Sequence, residues 1–181
     1  MSSRGSVRKI VLYAAYILVL PLVQTTWPDT LSIAGVRPDL ALVLVASIGY
    51  MFGENDGAVS GLLCGFLLDI QSGRLIGFGM LLLMLSGLLP AIVFHKSQNR
   101  PVFLTPAAVV MSALLFHVAV YGFSWLYPSL SDLGRNPYNL ADVFGKHVLP
   151  VLVLDGVLSI PVALALRYAG PYRRKPLEVI E

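Results

Sequence analysis

Two carboxylates of this 181-residue chain stand where an ordinary surface acid would not. Asp69 closes the series Gly57, Gly61, Gly65, Asp69, which recurs every four residues through an apolar segment. Asp155 lies in the middle of Leu152-Val153-Leu154-Asp155-Gly156-Val157. A carboxylate at the centre of a bilayer costs about 2.5–3.5 kcal/mol even on insertion scales, so it must face protein or a water pocket. For Asp155 the nearest partner by residue type is His117, itself mid-span, and proton coupling through the two is one chemistry they offer. Asp69 has two readings. Its helix ends there in headgroup water beside Gln71, Ser72 and Arg74, or its carboxylate is a buried partner for a backbone amide, a cation or another subunit.

Three enzyme constellations fail on their residues. Ser60-Gly61 with His117 resembles an intramembrane serine protease of the rhomboid kind. However, Ala58 stands where that motif has its leading glycine, and the second helix lacks the histidines and asparagine that would stabilise an oxyanion. A serine nucleophile also needs its base within hydrogen-bond reach. A lipid phosphotransferase would need clustered aspartates to hold a metal, whereas Asp69 and Asp155 are each solitary on their helices. His95, His117 and His147 have no second ligand three or four residues away, so the spacing does not support zinc or any other metal. With no phosphate loop, ATPase signature or cofactor attachment motif, the chain reads as a non-enzyme that needs no cofactor.

The elements that would position these residues belong to a membrane protein. Hydrophobic residues make up 56% of the chain and charged ones 13%, against about 25% charged in a soluble globule. The net charge of +3 does not indicate a nucleic-acid partner, because the basic residues sit at the ends of apolar runs, where they orient helices and meet lipid headgroups. The single cysteine, Cys64, falls in an apolar span and reads as a small packing residue. Arg4, Arg8 and Lys9 before an apolar run resemble a signal peptide. No small-x-small cleavage site follows, so the run is expected to be a retained helix with Trp27 at the interface.

The expected fold is one all-α, polytopic membrane bundle of six transmembrane helices over residues 1–181, at about 8–26, 38–52, 57–71, 75–94, 102–127 and 146–168. The second and third are short against the ~20 residues a crossing needs. They are expected to form a hairpin across the polar turn Gly53-Glu54-Asn55-Asp56. Six crossings from a cytoplasmic N-terminus put nine basic residues on the cytoplasmic side against four (Arg37, Arg74, Arg135, Lys146) on the other, as the positive-inside rule requires. Both termini are then cytoplasmic.

Residues four apart drift slowly around a helix, so Gly57, Gly61, Gly65 and Asp69 share one broad face. Small residues there let a second backbone approach closely. Pro38-Asp39 opens the second helix with a proline in the first turn and an acid at the positive helix end, which a purely structural account explains.

Pro38-Asp39-Leu40 before a short helix, then Gly61-x-x-x-Gly65-Phe66-x-x-Asp69, then Gly73 and Gly77 before a leucine-rich span, resembles the rod-shape-determining MreD family. Length, six-helix layout and motif order agree along the chain; the specific part is about residues 38–90. The resemblance implies a non-enzymatic inner-membrane component of the bacterial elongation machinery. Its partners would be MreC directly, the RodA glycosyltransferase with its penicillin-binding transpeptidase, and MreB indirectly. Through it, peptidoglycan synthesis and cell shape would be organised. Pro38, Asp39, Gly61, Gly65, Phe66, Asp69, Gly73 and Gly77 would then shape the hairpin and its contact surface, and Gly57 extends the row. Whether that face meets another chain or another helix of this one stays open.

The family's fold is also similar to the substrate-binding subunits of energy-coupling-factor vitamin transporters. That similarity supplies the rival expectation of a solute pocket lined by Trp27, Trp125, Tyr127 and Tyr138, although aromatics at those depths are more often interface belts.

Overall fold

A computed structural model describes residues 3–26, 36–72, 77–94, 101–126 and 144–169. Trp27, Gly73, His95, Tyr127 and Tyr138 lie outside them. The described residues form six α-helices: α1 (Ser3–Thr26), α2 (Leu40–Phe52), α3 (Glu54–Ser72), α4 (Phe78–Val93), α5 (Thr105–Leu126) and α6 (Leu149–Ala169). A 3-10 turn, Val102–Leu104, leads into α5, and a π-helical turn, Phe144–Val148, leads into α6. Two stretches, Val102–Ser124 and Phe144–Tyr168, are long and apolar enough to cross a membrane; Val11–Gln24, Leu40–Phe52 and Phe78–Val93 are shorter apolar helices.

The architecture is a shell of five helices around α2. Every residue from Leu40 to Met51 is buried, and α1, α3, α4, α5 and α6 all pack on this one helix. A helix apolar on every side can only be stable in such a place. Its 13 residues span about 20 Å, short of the ~30 Å hydrocarbon layer; its first residue, Leu40, is buried, whereas the chain reaches the exposed Glu54 and Asn55 just past its end.

The polar turn expected between the second and third helices is tighter than the sequence suggested. Helix α3 already begins at Glu54, so Gly53 alone separates it from α2, at φ 111°. That left-handed conformation is open to glycine without steric cost. Glu54 and Asp56, expected to be turn residues, instead form the first turn of α3, where acids complement the helix's positive end. The Asp56 carboxylate also accepts a 2.9 Å hydrogen bond from the Tyr13 hydroxyl of α1, and Tyr13 meets Phe52 edge-on.

Candidate functional site: a glycine seam and two capped helix ends

The glycine row of α3 lies against α4 of the same chain. A Cβ at Gly57 would fall 2.7 Å from the Gly49 Cα and against the Gly87 carbonyl; at Gly61 it would fall 2.7 Å from the Met84 Cα, and at Gly65 2.5 Å from the Met80 Cα. Each step of four along α3 is matched by a step back along α4: Gly57 meets Gly87, Gly61 meets Leu83, and Gly65 meets Gly79 and Met80. The two helices therefore run antiparallel with main chain on main chain, as small residues allow in membrane packing. Gly49 of α2 abuts Gly87 as well, so three helices converge where Gly49, Gly57 and Gly87 meet.

Sequence reasoning found α3's half of this seam and missed the complementary positions Gly49, Gly79 and Gly87. The signal was present, since Gly79, Leu83 and Gly87 repeat the four-residue step. Phe66, read with the same motif, points away from the seam and is exposed.

At the end of the row, Asp69 is buried and caps α4. Its Oδ2 accepts from the Gly77 amide at 2.8 Å and the Met80 amide at 3.3 Å. Gly77 adopts φ 106° at the N-cap and has no side chain with which to cap the helix, so α3 supplies one. Gly79 leaves room for the carboxylate, because a Cβ there would overlap the Asp69 Oδ1. Of the two readings of Asp69, the structure takes the buried partner of backbone amides, with both amides from its own chain.

The second capped end is the start of α2. Pro38 is buried, and Asp39 is the N-cap, its Oδ1 accepting from the Leu42 amide at 3.1 Å. The Ala41 amide donates to Oε1 of Gln24 on α1 at 2.9 Å. The Asp39 amide donates to Oδ1 of Asp155 on α6, also at 2.9 Å. The first amides of a helix have no partner within it, and in a membrane interior something must accept from them. Three side chains from three helices do so here. Asp155 is completely buried, and its Oδ2 has no hydrogen-bond partner. Gln24 carried no signal of its own in the sequence, because one amide side chain near the end of an apolar run is not a pattern.

His117, expected as the partner of Asp155 by type, is engaged elsewhere. Its Nδ1 lies 2.8 Å from the Ala113 carbonyl one turn back, and since a carbonyl can only accept, Nδ1 carries the proton. The ring packs against Phe116 and Tyr121 and is close enough to Asp39 to interact with it electrostatically. Asp155 instead accepts from a main-chain amide, that of Asp39 at the start of α2. The Ser60 hydroxyl is buried and donates to the Gly57 carbonyl at 3.0 Å, so Ser60 and His117 are each bound to their own helix and form no nucleophile–base pair. Cys64 is buried among the core residues. Among the described residues no group of three or more His, Cys, Asp or Glu is placed to hold a metal ion.

This arrangement defines an all-helical bundle whose small and polar residues hold its own helices together. Residues 6–167 match the family model of the rod shape-determining protein MreD, and the chain belongs to that family. The family is one of membrane proteins, and membership places the chain in rod shape determination. No curated protein and no solved structure matches the chain.

Proposed function

We propose that this chain is a non-enzymatic scaffold of the cell-elongation machinery in the bacterial inner membrane. It crosses the bilayer six times with both termini cytoplasmic, and it binds MreC directly through helix contacts. Through MreC it helps organise peptidoglycan synthesis by RodA and its penicillin-binding transpeptidase, with MreB filaments engaged indirectly. Family membership supports the setting. The observation that carries the scaffold reading is how the bundle distributes its side chains. The seam glycines and the carboxylates of Asp69 and Asp155 point inward, and the outward faces present large apolar side chains, among them Val59, Leu63, Phe66 and Ile70 on α3 and Leu81, Leu85 and Ile92 on α4. Such faces suit lipid or another membrane helix.

Because the glycine seam is filled from within the chain, partner contacts are assigned to these outer faces. A photo-crosslinking amino acid at Leu63, Leu85, Leu115 or Val157, one outward position on each of four helices, tests this in cells. The expected result is a crosslink to MreC from one or two adjacent faces and none from the others. No crosslink from any face, with the protein inserted and abundant, would overturn direct binding through helix contacts. Loss of the protein is expected to round the cells.

A further inference from the structure

We infer that the Asp39–Asp155 pair is a buried proton-binding site: at neutral pH it holds one proton, on Oδ2 of Asp155, so that α6 meets the start of α2 as a neutral acid. The two carboxyl groups share one helix end and keep unequal company. That of Asp39 accepts from the Leu42 amide at 3.1 Å and also from the Ala41 amide and the Gln24 side chain. All three partners donate, so Asp39 is surrounded as an acceptor, which suits its ionised form. It also caps the positive end of α2 and lies within electrostatic reach of His117, both of which favour negative charge there.

Asp155 has a single donor. Its Oδ1 takes the Asp39 amide at 2.9 Å, and its Oδ2 has no hydrogen-bond partner. The residue is completely buried, and the next one, Gly156, lies against the Val110 side chain of α5. The charge that bears on Asp155 is that of Asp39, of like sign. The titratable groups that reach this helix end from other helices are His117 on α5 and Cys64 on α3, and both interact with Asp39. From α1 comes the uncharged Gln24; α4 and the 3-10 turn have no ionisable side chain, and Lys146 and His147 are exposed at the start of α6. Two carboxylates ionised side by side in an apolar interior repel, and uptake of one proton relieves the pair. The proton goes to the group with fewer donors. On Oδ2 it removes the charge and leaves Oδ1 free to accept from Asp39, so the bond from α6 to α2 survives. Loss of that proton would put a second negative charge on this end of α2 with one amide to hold it, which makes the tie between α6 and α2 pH-sensitive. The proton chemistry expected of Asp155 with His117 falls instead to Asp155 with Asp39, and none of it depends on a partner protein.

Infrared spectroscopy in lipid nanodiscs and heavy water separates the C=O stretch of protonated carboxylic acids from that of carboxylates. The folded parent is expected to show the protonated band at about pH 7, where ordinary carboxyl groups are ionised, and to lose it only at alkaline pH. Asp155→Asn keeps an acceptor for the Asp39 amide and places a donor where the proton sits; it is expected to abolish the band, whereas Asp69→Asn leaves it. Asp39→Asn removes the like charge and is expected to strengthen proton release about tenfold or more, so that the band fades at lower pH. Denaturation in mixed micelles gives a second reading. The unfolded chain does not keep this proton above about pH 5, so the unfolding constant of the parent, relative to that of Asp155→Asn, is expected to rise about tenfold per pH unit between about pH 5 and 7. The parent's own infrared titration stands even where a variant fails to fold. No band at neutral pH, a band that survives Asp155→Asn, or parallel pH profiles for the two proteins would overturn the inference. An unmoved band in Asp39→Asn would overturn it as well, because the two acids would then not act as a pair.

Discussion

The seam between α3 and α4 allows a prediction whose sign opposes intrinsic helix propensity. Replacing Gly61 by alanine adds one carbon at a site where that carbon would sit 2.7 Å from the Met84 Cα and 2.6 Å from the Leu83 carbonyl carbon. Both obstacles are backbone, so no side chain can turn aside, and van der Waals contact is restored only near 3.5 Å. The helices must separate by most of an ångström over the length they share. Gly57 and Gly65, one turn away on either side, would lose contact as well. Overpacking a well-filled interior costs about 1–3 kcal/mol, whereas alanine in place of glycine in an exposed helix favours folding by up to about 1 kcal/mol. The seam wins, and Gly61→Ala is expected to destabilise the protein by about 1–2 kcal/mol.

Gly122 in α5 is the matched control. A Cβ there would meet nothing within 4 Å, so Gly122→Ala is expected to be neutral or to stabilise by at most about 1 kcal/mol. The assay is reversible denaturation in mixed micelles, with helicity as the signal. Gly61→Ala proving as stable as the parent, or more so, would refute the reasoning, because it would mean that α3 and α4 are not held backbone to backbone. Gly61→Leu is expected to be severe enough to prevent correct folding. Its effect on co-purification with MreC would therefore report the fold and not the interface.

The capped ends give further expectations. Asp69→Ala leaves the Gly77 and Met80 amides without their acceptor and is expected to cost about 1–2 kcal/mol; Asp69→Asn, which keeps an acceptor oxygen, is expected to cost less, and the difference is measurable by the same denaturation. Gly79→Ala drives a methyl group into the Asp69 carboxylate, so combining it with Asp69→Ala is expected to be less harmful than the sum of the two single changes. A strictly additive double-mutant cycle would show that the two residues are not in contact. Asp155→Leu leaves the buried Asp39 amide unpaired and is expected to cost about 1–3 kcal/mol, with a smaller loss for Asp155→Asn. Tyr13→Phe removes the hydroxyl bound to Asp56 and is expected to lower stability by about 1 kcal/mol or less.

What could be read in the sequence was whatever leaves a periodic trace. Apolar runs located the helices to within a few residues, and the four-residue glycine step identified a face built for close approach. Asp69 and Asp155 stood out because a carboxylate in an apolar run is conspicuous. What each of them touches was not legible, because a pattern along one helix does not specify which helix lies opposite. The register of Gly57 on Gly87 is set by the sharp reversal at Gly53 and by the Asp69 cap on Gly77, two features that act together only once the chain is folded. Gln24 was invisible for a related reason: a single amide acquires meaning only from the Ala41 N–H it accepts from, a first-turn donor of α2 with no acceptor within the helix.

The same geometry changes where partner recognition must be sought. A stripe of bare main chain on a membrane helix reads equally well as an intermolecular interface or an internal seam, and the sequence does not distinguish them. Here α4 occupies the stripe at Gly57, Gly61 and Gly65, at separations that leave no room for even a methyl group, so a second chain cannot use it without displacing α4. Displacing α4 would also strip Asp69 of the amides it caps and expose Gly49 of the central helix. An interface there would therefore require the bundle to come apart. In the scaffold role proposed above, contacts with other membrane proteins would fall instead to the outward apolar faces, where Phe66 stands exposed on α3 two turns beyond Val59. Specificity on such faces comes from the shape of large side chains and not from small ones, so substitutions that change bulk at Leu63, Phe66 or Leu85 should alter partner binding while leaving the fold intact.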